Sequence, residues 1–254
     1  MKAKNKVALV TGGSRGLGRN MSLHLAKNGH DIIITYKSNQ AEAEKVVADV
    51  QALGVKAAAF QLDTANTGEF DAFFDTVSGY LQTTTGSGTF DFLINNAGID
   101  RGSLIPQTTE EDFDELYHVH LKGVYFLTQK ALPFIADNGR IINLSTGLAR
   151  FVTPGYAAYA SMKGAIEVFT RYLAKEVGVR GITANVVAPG IIETDFTKAV
   201  FDHAPQAIAH ISAQTALGRT GVPDDIGGIV AFLCTNEARW ITAQRIEASG
   251  GMFL

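Results

Sequence analysis

The sequence predicts an α/β protein: an open, doubly wound parallel sheet of about seven strands with helices on both faces, folded as a single domain over residues 1–254. Three observations predict it. Short β-branched runs alternate with longer segments of helical period from end to end. Several of those runs are apolar throughout rather than alternating, as strands covered on both faces are. A glycine-rich turn stands between the first run and the first helical segment.

In chain order, strands are expected at KVALV (6–10), DIIIT (31–35), VKAAAF (55–60), FDFLIN (90–95), GRIINLS (139–145), ITANVV (182–187) and AQRIEA (243–248). Between them lie segments of helical length, among them 16–28, 40–53, 110–136 and 156–177. In the last, Met162, Ile166, Phe169, Leu173 and Val177 form an apolar stripe at spacings of three and four. Two stretches break the rhythm. LQTTTGSGTF (81–90) is polar and glycine-rich, and is expected as a mobile surface loop. The segment 190–215 follows a strand end, where such sheets bind ligands, and is expected as a substrate lid. No internal repeat, charge block or linker divides the chain.

Composition narrows the function. The chain is 46% hydrophobic and 19% charged, with a formal net charge of -3, which gives no reason to expect nucleic acid or an anionic membrane surface. Its one cysteine, Cys234, sits in an apolar run and reads as a core residue rather than a nucleophile. MKAKNKVALVTGG reaches a glycine turn too soon for a signal peptide, and no apolar run approaches the ~18 residues of a membrane span. A reducing, cytoplasmic setting is expected. The histidines make no ligand cluster with carboxylates or the cysteine, so no catalytic metal is expected.

VTGGSRGLG (10–18) follows the first strand and opens the first helix. Glycines at 12, 16 and 18 allow a tight turn and close approach to a pyrophosphate, which the N–H groups and dipole of the following helix then bind. A free ribose 2′-hydroxyl is usually met by a carboxylate at the end of the second strand. Here no acid lies between Ile32 and Ala41; Lys37 and Ser38 stand there, with Ser14 and Arg15 in the glycine loop. Cations and hydroxyls suit a 2′-phosphate, so NADPH is expected over NADH.

TGGSRGLG (11–18), NNAG (95–98), Tyr159 with Lys163, and PGIIETD (189–195) occur in order, and the chain through LGRTGVPDDIGGIVAFL…ASGG (217–251) resembles a short-chain dehydrogenase/reductase. Within that family it is most similar to 3-oxoacyl-carrier-protein reductases and related bacterial carbonyl reductases. The resemblance implies a Rossmann-type fold and NADPH/NADP+ as cofactor. The helical spacing of Tyr159 and Lys163 places both on one face. The family implies that Lys163 holds the nicotinamide ribose and lowers the Tyr159 phenol's pKa, making Tyr159 the proton donor in carbonyl reduction. It also implies cofactor contacts from Gly12, Ser14, Arg15, Gly16, Leu17, Gly18, Lys37, Ser38, Asp63, Thr64, Asn95, Ala97, Gly98, Pro189, Gly190, Ile192 and Thr194, besides Tyr159 and Lys163.

The chain departs from the family pattern twice. The carbonyl-binding hydroxyl, usually serine, falls at Thr146, thirteen positions before Tyr159, with Ser145 beside it as the alternative. His120 stands where an asparagine commonly holds a water of the proton relay; it either takes that role as a titrating group or is a neutral packing residue. The expected substrate is a small-molecule ketone or an acyl thioester. The alternatives are a 3-oxoacyl-carrier-protein reductase of fatty-acid synthesis, an alcohol or sugar dehydrogenase working oxidatively and, more remotely, a non-catalytic NADPH-binding regulator. A carrier protein would be met by cations drawn from Arg101, Lys122, Lys130, Arg150, Arg171 and Arg219. The apolar face of 156–177 and the ending GGMFL are expected to build a homotetramer.

Overall fold

The computed structural model describes residues 5–203 and 205–254; residues 1–4 and residue 204, which lies within the predicted lid, fall outside that set. The described residues form seven strands in one parallel sheet: β1 (Val7–Val10), β2 (Asp31–Tyr36), β3 (Ala57–Gln61), β4 (Phe90–Asn95), β5 (Ile135–Leu144), β6 (Thr183–Pro189) and β7 (Arg245–Ala248). The order across the sheet is β3-β2-β1-β4-β5-β6-β7, so the chain reverses its direction of winding between β1 and β4. Ligands of such sheets bind beyond the strand C-termini at this reversal.

Strand side chains alternate between two cores, as a period of two requires. Ala8, Val10, Ile32 and Ile34 join one core with α1 (Gly16–Lys27), α2 (Gln40–Gln51) and α9 (Asp224–Leu233). Val7, Leu9 and Ile33 join the other, with α3 (Phe70–Thr85), α5 (Gly123–Ala131) and α6 (Ala157–Val177). Phe90 and Phe92 have the same parity but enter opposite cores, at the point where the β4–β5 register shifts. In the second core Phe70, Phe74, Phe90 and Phe134 gather; the Phe74 ring stacks on Phe90 at 6.4 Å and on Phe134 at 5.4 Å. Each fully buried ring contributes roughly 1.5–3 kcal/mol by leaving water.

Three sequence expectations change. Residues 81–85 are the last turn of α3, not loop: the Thr83, Thr84 and Thr85 hydroxyls each donate to the carbonyl four residues back. The helix stops at Gly86, whose φ of 72° provides the left-handed cap, and only 86–89 connect to β4. The segment 110–136 is not one helix. It comprises α4 (Glu110–Tyr117), a π-helical stretch His118–Lys122, α5 and a 3-10 turn Leu132–Phe134 that leads into a β5 starting four residues before the expected Gly139. The α6 stripe is committed within the chain: Met162, Ile166, Leu173 and Val177 are buried, and Phe169 packs on Tyr125 at 4.7 Å. Another face, carrying Val168 and Tyr172, is the exposed one. The predicted lid carries α7 (Lys198–His203) and α8 (Pro205–Ala213). No helix of the described residues is long and apolar enough to cross a membrane.

Candidate active site

The glycine loop is built by contacts a side chain would obstruct. Gly12 has φ 63°, and a Cβ there would stand 2.9 Å from Ala97 Cα; one on Gly18 would stand 2.2 Å from the Gly12 carbonyl. The loop thereby folds back on its own helix. Arg15 caps α1 without a side-chain hydrogen bond, and the first turn carries no acid, so its N–H groups face outward with their dipole uncompensated. A Cβ on Gly16 would lie 3.7 Å from Thr194 Cβ, which sets the glycine loop opposite the loop after β6. On that loop Gly190 passes so close to Ser249 that a Cβ would lie 2.9 Å from its Cα, and Thr197 Oγ1 donates to the Ile192 carbonyl at 2.5 Å. Pro189 ends β6.

At the second-strand end, Lys37 Nζ pairs with Asp63 Oδ2 at 2.9 Å, joining two groups read separately from the sequence. Burial alone would raise the Asp63 pKa, but the bonds from Lys37 and the Ala65 N–H, with the Lys37 charge, hold it below its ordinary value. Ser38 is exposed and Ser14 and Leu17 half-buried. Thr64 is buried, its carbonyl only 2.1 Å from where a Gly123 Cβ would stand. Asn95 stands at the end of β4, at the start of the segment expected along the adenosine. Its amide is buried, donating to Thr128 Oγ1 at 2.9 Å and Asn143 Oδ1 at 2.8 Å. The neighbouring Asn96, which sequence reasoning passed over within NNAG, ties the strand ends together by donating to the Thr11 and Gly12 carbonyls. Thr11 Oγ1 accepts the N–H of Asn96 and of Ala97, both at 3.0 Å.

Beyond this loop, Tyr159 and Lys163 stack along the first turns of α6, with Lys163 Nζ 5.7 Å from the phenol ring centroid. The ammonium donates to the Leu144 carbonyl at 2.8 Å, and burial lowers its pKa from 10.5 to about 8. Tyr159 does not show the lowered pKa that the family resemblance implies. Burial pushes the phenol above 10, the Asp100 carboxylate adds to the rise, and only the Thr146 hydroxyl, within hydrogen-bonding reach, opposes it. The phenol therefore stays protonated through neutral pH.

The two candidate hydroxyls part company. Ser145 Oγ donates to Glu167 Oε1 at 2.7 Å, beneath the site, whereas Thr146 Oγ1 accepts the Leu148 N–H at 3.2 Å and faces Tyr159. His120 sits in the π-helical stretch, a distortion that tends to mark functional positions. Its ring meets Tyr159 edge-on, centroids 5.0 Å apart. Nε2 lies 2.8 Å from the Ile99 carbonyl and 3.2 Å from the Ile99 N–H, so the tautomer sets which of the two it bonds; Nδ1 is buried without a partner among the described residues. Burial first, then the Lys163 charge, push its pKa down to about 3, so the imidazole is neutral rather than titrating near neutrality. Gly98 is required beside it, since a Cβ would stand 2.8 Å from His120 Cε1.

A strand-ended anion cradle and a buried Tyr–Lys pair on one helix together decide the family. A family model described as enoyl-(acyl carrier protein) reductase matches residues 12–253. The chain belongs to the short-chain dehydrogenase/reductase family of oxidoreductases. It is 38% identical over 251 residues to the 3-oxoacyl-[acyl-carrier-protein] reductase FabG of Staphylococcus aureus, covering 98% of both chains. It is 37% identical to an uncharacterised oxidoreductase of Methylorubrum extorquens, covering 99% of both. Among solved structures, the promiscuous reductase LugOII, which catalyses keto-reduction at C1 in lugdunomycin biosynthesis, superposes with a TM-score of 0.92 at 38% identity, both chains covered fully. The angucycline C-6 ketoreductase LanV, crystallised with NADP, also reaches 0.92, at 35% identity over 98% of this chain and 95% of that one. Among the described residues no group of histidine, cysteine and carboxylate side chains is placed to hold a metal ion.

Proposed function

We propose that this short-chain dehydrogenase/reductase reduces a small-molecule ketone to a secondary alcohol with NADPH. The single observation carrying the reading is the meeting of Tyr159, Lys163 and Thr146 at the strand ends beside the glycine loop: a phenol protonated at neutral pH, with an ammonium beside it and a hydroxyl facing it, is arranged to donate to a carbonyl oxygen. The open cradle of Gly12, Gly16 and Gly18 and the uncapped start of α1 fit a dinucleotide pyrophosphate. Arg15, Lys37 and Ser38 would meet the 2′-phosphate; Asp63, Thr64, Ala97 and Gly98 would line the adenosine half, and Ile192 and Thr194 the nicotinamide half. NADP in the LanV structure and NADPH in that of a similar blue fluorescent protein from a metagenomic library support that choice. NADPH, when bound, supplies the hydride that reaches the carbonyl carbon.

The chain's own residues do the rest. Thr146 Oγ donates a hydrogen bond to the substrate oxygen and holds it beside Tyr159. Tyr159 delivers its proton as negative charge builds on that oxygen. Lys163 stabilises the phenolate left behind, through a field strengthened by the dry surroundings. His120, neutral, holds the Ile99 loop with Nε2 and offers Nδ1 to a water that returns the proton.

For the substrate class, the surface favours a small ketone over a carrier-bound thioester. Of the six cations available to meet an acidic carrier, four are engaged, Arg101 by Asp112 and Glu115, Lys130 by Asp71, Arg150 by Glu247 and Arg219 by Asp225, which leaves Lys122 and Arg171 without an ion pair among the described residues. Phe196, exposed on the lid and 6.5 Å from the Tyr159 ring, presents an apolar wall. The test is NADPH consumption with an aryl ketone, a β-keto ester and an acetoacetyl thioester. Turnover of the ketones that falls at least a thousand-fold in Tyr159→Phe is expected; strong preference for the thioester would move the substrate to acyl chains. NADPH binding without turnover of any of the three would favour the regulator.

A further inference from the structure

The loop after β5 offers two adjacent hydroxyls, and an ionic network beneath it treats them differently. Arg245 on β7 is the hub. Its Nε donates to Glu167 Oε1 on α6 at 2.6 Å, its Nη1 to Glu247 Oε2 at 2.5 Å, and its Nη2 to the Thr146 carbonyl at 3.1 Å. The Glu167 oxygen that takes the guanidinium also takes the Ser145 hydroxyl, at 2.7 Å. Arg150 reaches Glu247 from the loop side at 3.9 Å. The side chains of Arg245, Glu167 and Glu247 are only 22%, 15% and 21% exposed, so their charge-assisted bonds are weakly screened and geometrically exacting.

A serine hydroxyl has one proton. Given to Glu167, it leaves Ser145 nothing to donate to a substrate oxygen. Thr146 is in the opposite position: its carbonyl is pinned by Arg245, its Oγ1 accepts the Leu148 N–H, and its own proton is free for a partner on the Tyr159 side. We propose that Arg245 and Glu167 are positioning residues that select the reactive hydroxyl, committing Ser145 to the interior and fixing the Thr146 backbone so that Thr146 alone presents its hydroxyl beside Tyr159. This rests on the ketoreductase reading of the site. The selection comes from β7, which follows the site by nearly a hundred residues and touches the reacting groups nowhere else in the described hydrogen bonds.

The experiment is a double-mutant cycle. Arg245→Met keeps length and apolar volume while removing the guanidinium; Thr146→Ala removes the hydroxyl on which it is said to act. Ketone reduction is followed by NADPH oxidation, with NADPH affinity and thermal stability measured alongside. Arg245→Met alone is expected to lower kcat at least ten-fold with the NADPH KM within two-fold, and to cost under two-fold further in the Thr146→Ala background. Multiplying losses, or an unchanged kcat in the single variant, would overturn the proposal. If Arg245→Met does not fold, the isosteric Glu167→Gln, which weakens the ion pair and keeps an acceptor for Ser145, replaces it in the same cycle. Backbone hydrogen exchange at Leu148 and Ala149, whose N–H groups bond Thr146, separates this proposal from the activity it rests on. Faster exchange is expected in either variant. Unchanged exchange overturns the positioning role even if the wild-type protein reduces no ketone tried, a result that would itself refute the ketoreductase reading.

Discussion

Lys163 makes the sharpest prediction because its charge is held at a cost. Its side chain is 4% exposed, its ammonium has one carbonyl partner, and burial brings its pKa from 10.5 to about 8. A shift of that size corresponds to about 3 kcal/mol of lost solvation. Two consequences follow. In the rate, the cation that steadies the Tyr159 phenolate disappears as pH rises through about 8, so ketone reduction at subsaturating substrate should be level below pH 7 and fall with unit slope above 8. At pH 9 roughly a tenth of the plateau remains, from the protonated fraction alone. In stability, a base whose pKa is lowered on folding binds fewer protons folded than unfolded between about 8 and 10.5. Its penalty is therefore present below about 8 and is relieved as pH climbs through that window. Denaturant unfolding of wild type and Lys163→Met at pH 7 and pH 10 should show the wild type gaining on the variant by as much as ~3 kcal/mol, less whatever the buried amine recovers from water. A reductive rate flat to pH 10, with no convergence of the two stabilities, would refute the reasoning.

Two further outcomes are expected. Lys37→Ala should raise the NADPH KM about ten-fold while leaving the NADH KM within two-fold, since a charge-assisted bond to a 2′-phosphate is worth roughly 1.5–3 kcal/mol and must first displace Asp63; equal effects on both cofactors would remove Lys37 from the 2′-phosphate site. Asp100→Asn should narrow the preference for a neutral keto ester over the matching keto acid by roughly three- to ten-fold in kcat/KM, because the Asp100 charge acts on both Tyr156 and Tyr159; an unaltered ratio would place that carboxylate's influence outside the substrate's reach.

What the sequence disclosed, and what it hid, divide along physical lines. The sheet was legible because strands covered on both faces must be apolar throughout, as DIIIT and FDFLIN are, and the helix following the glycine loop because its glycines sit where close approach demands them. The end of α3 was hidden because threonines read as loop formers, yet here their hydroxyls close back on the helix. Tyr159 and Lys163 were legible as an i, i+4 pair. Which of Ser145 and Thr146 faces the phenol was not, because two adjacent residues on an irregular loop have no periodicity to separate them; the deciding contacts come from Glu167 and Arg245. The fate of His120 was undecided for the same kind of reason. Its neutrality follows from burial and from the Lys163 charge, neither of which spacing reveals.

The π-helical stretch between α4 and α5 works as a phase shifter. A π turn accommodates one residue more than an α turn, so the two helices it joins run on with their faces offset by about 100°, the angle that one residue spans. Leu116 before the stretch and Val124 and Leu127 after it are all buried, and within it His120 turns in toward Tyr159. Deleting a single residue from His118–Lys122 would restore a continuous α-helix with α4 and α5 in the same relation, removing only the bulge that carries His120. A single run of chain thereby serves both the core and the candidate site, with the irregular turn at the residue that meets Tyr159.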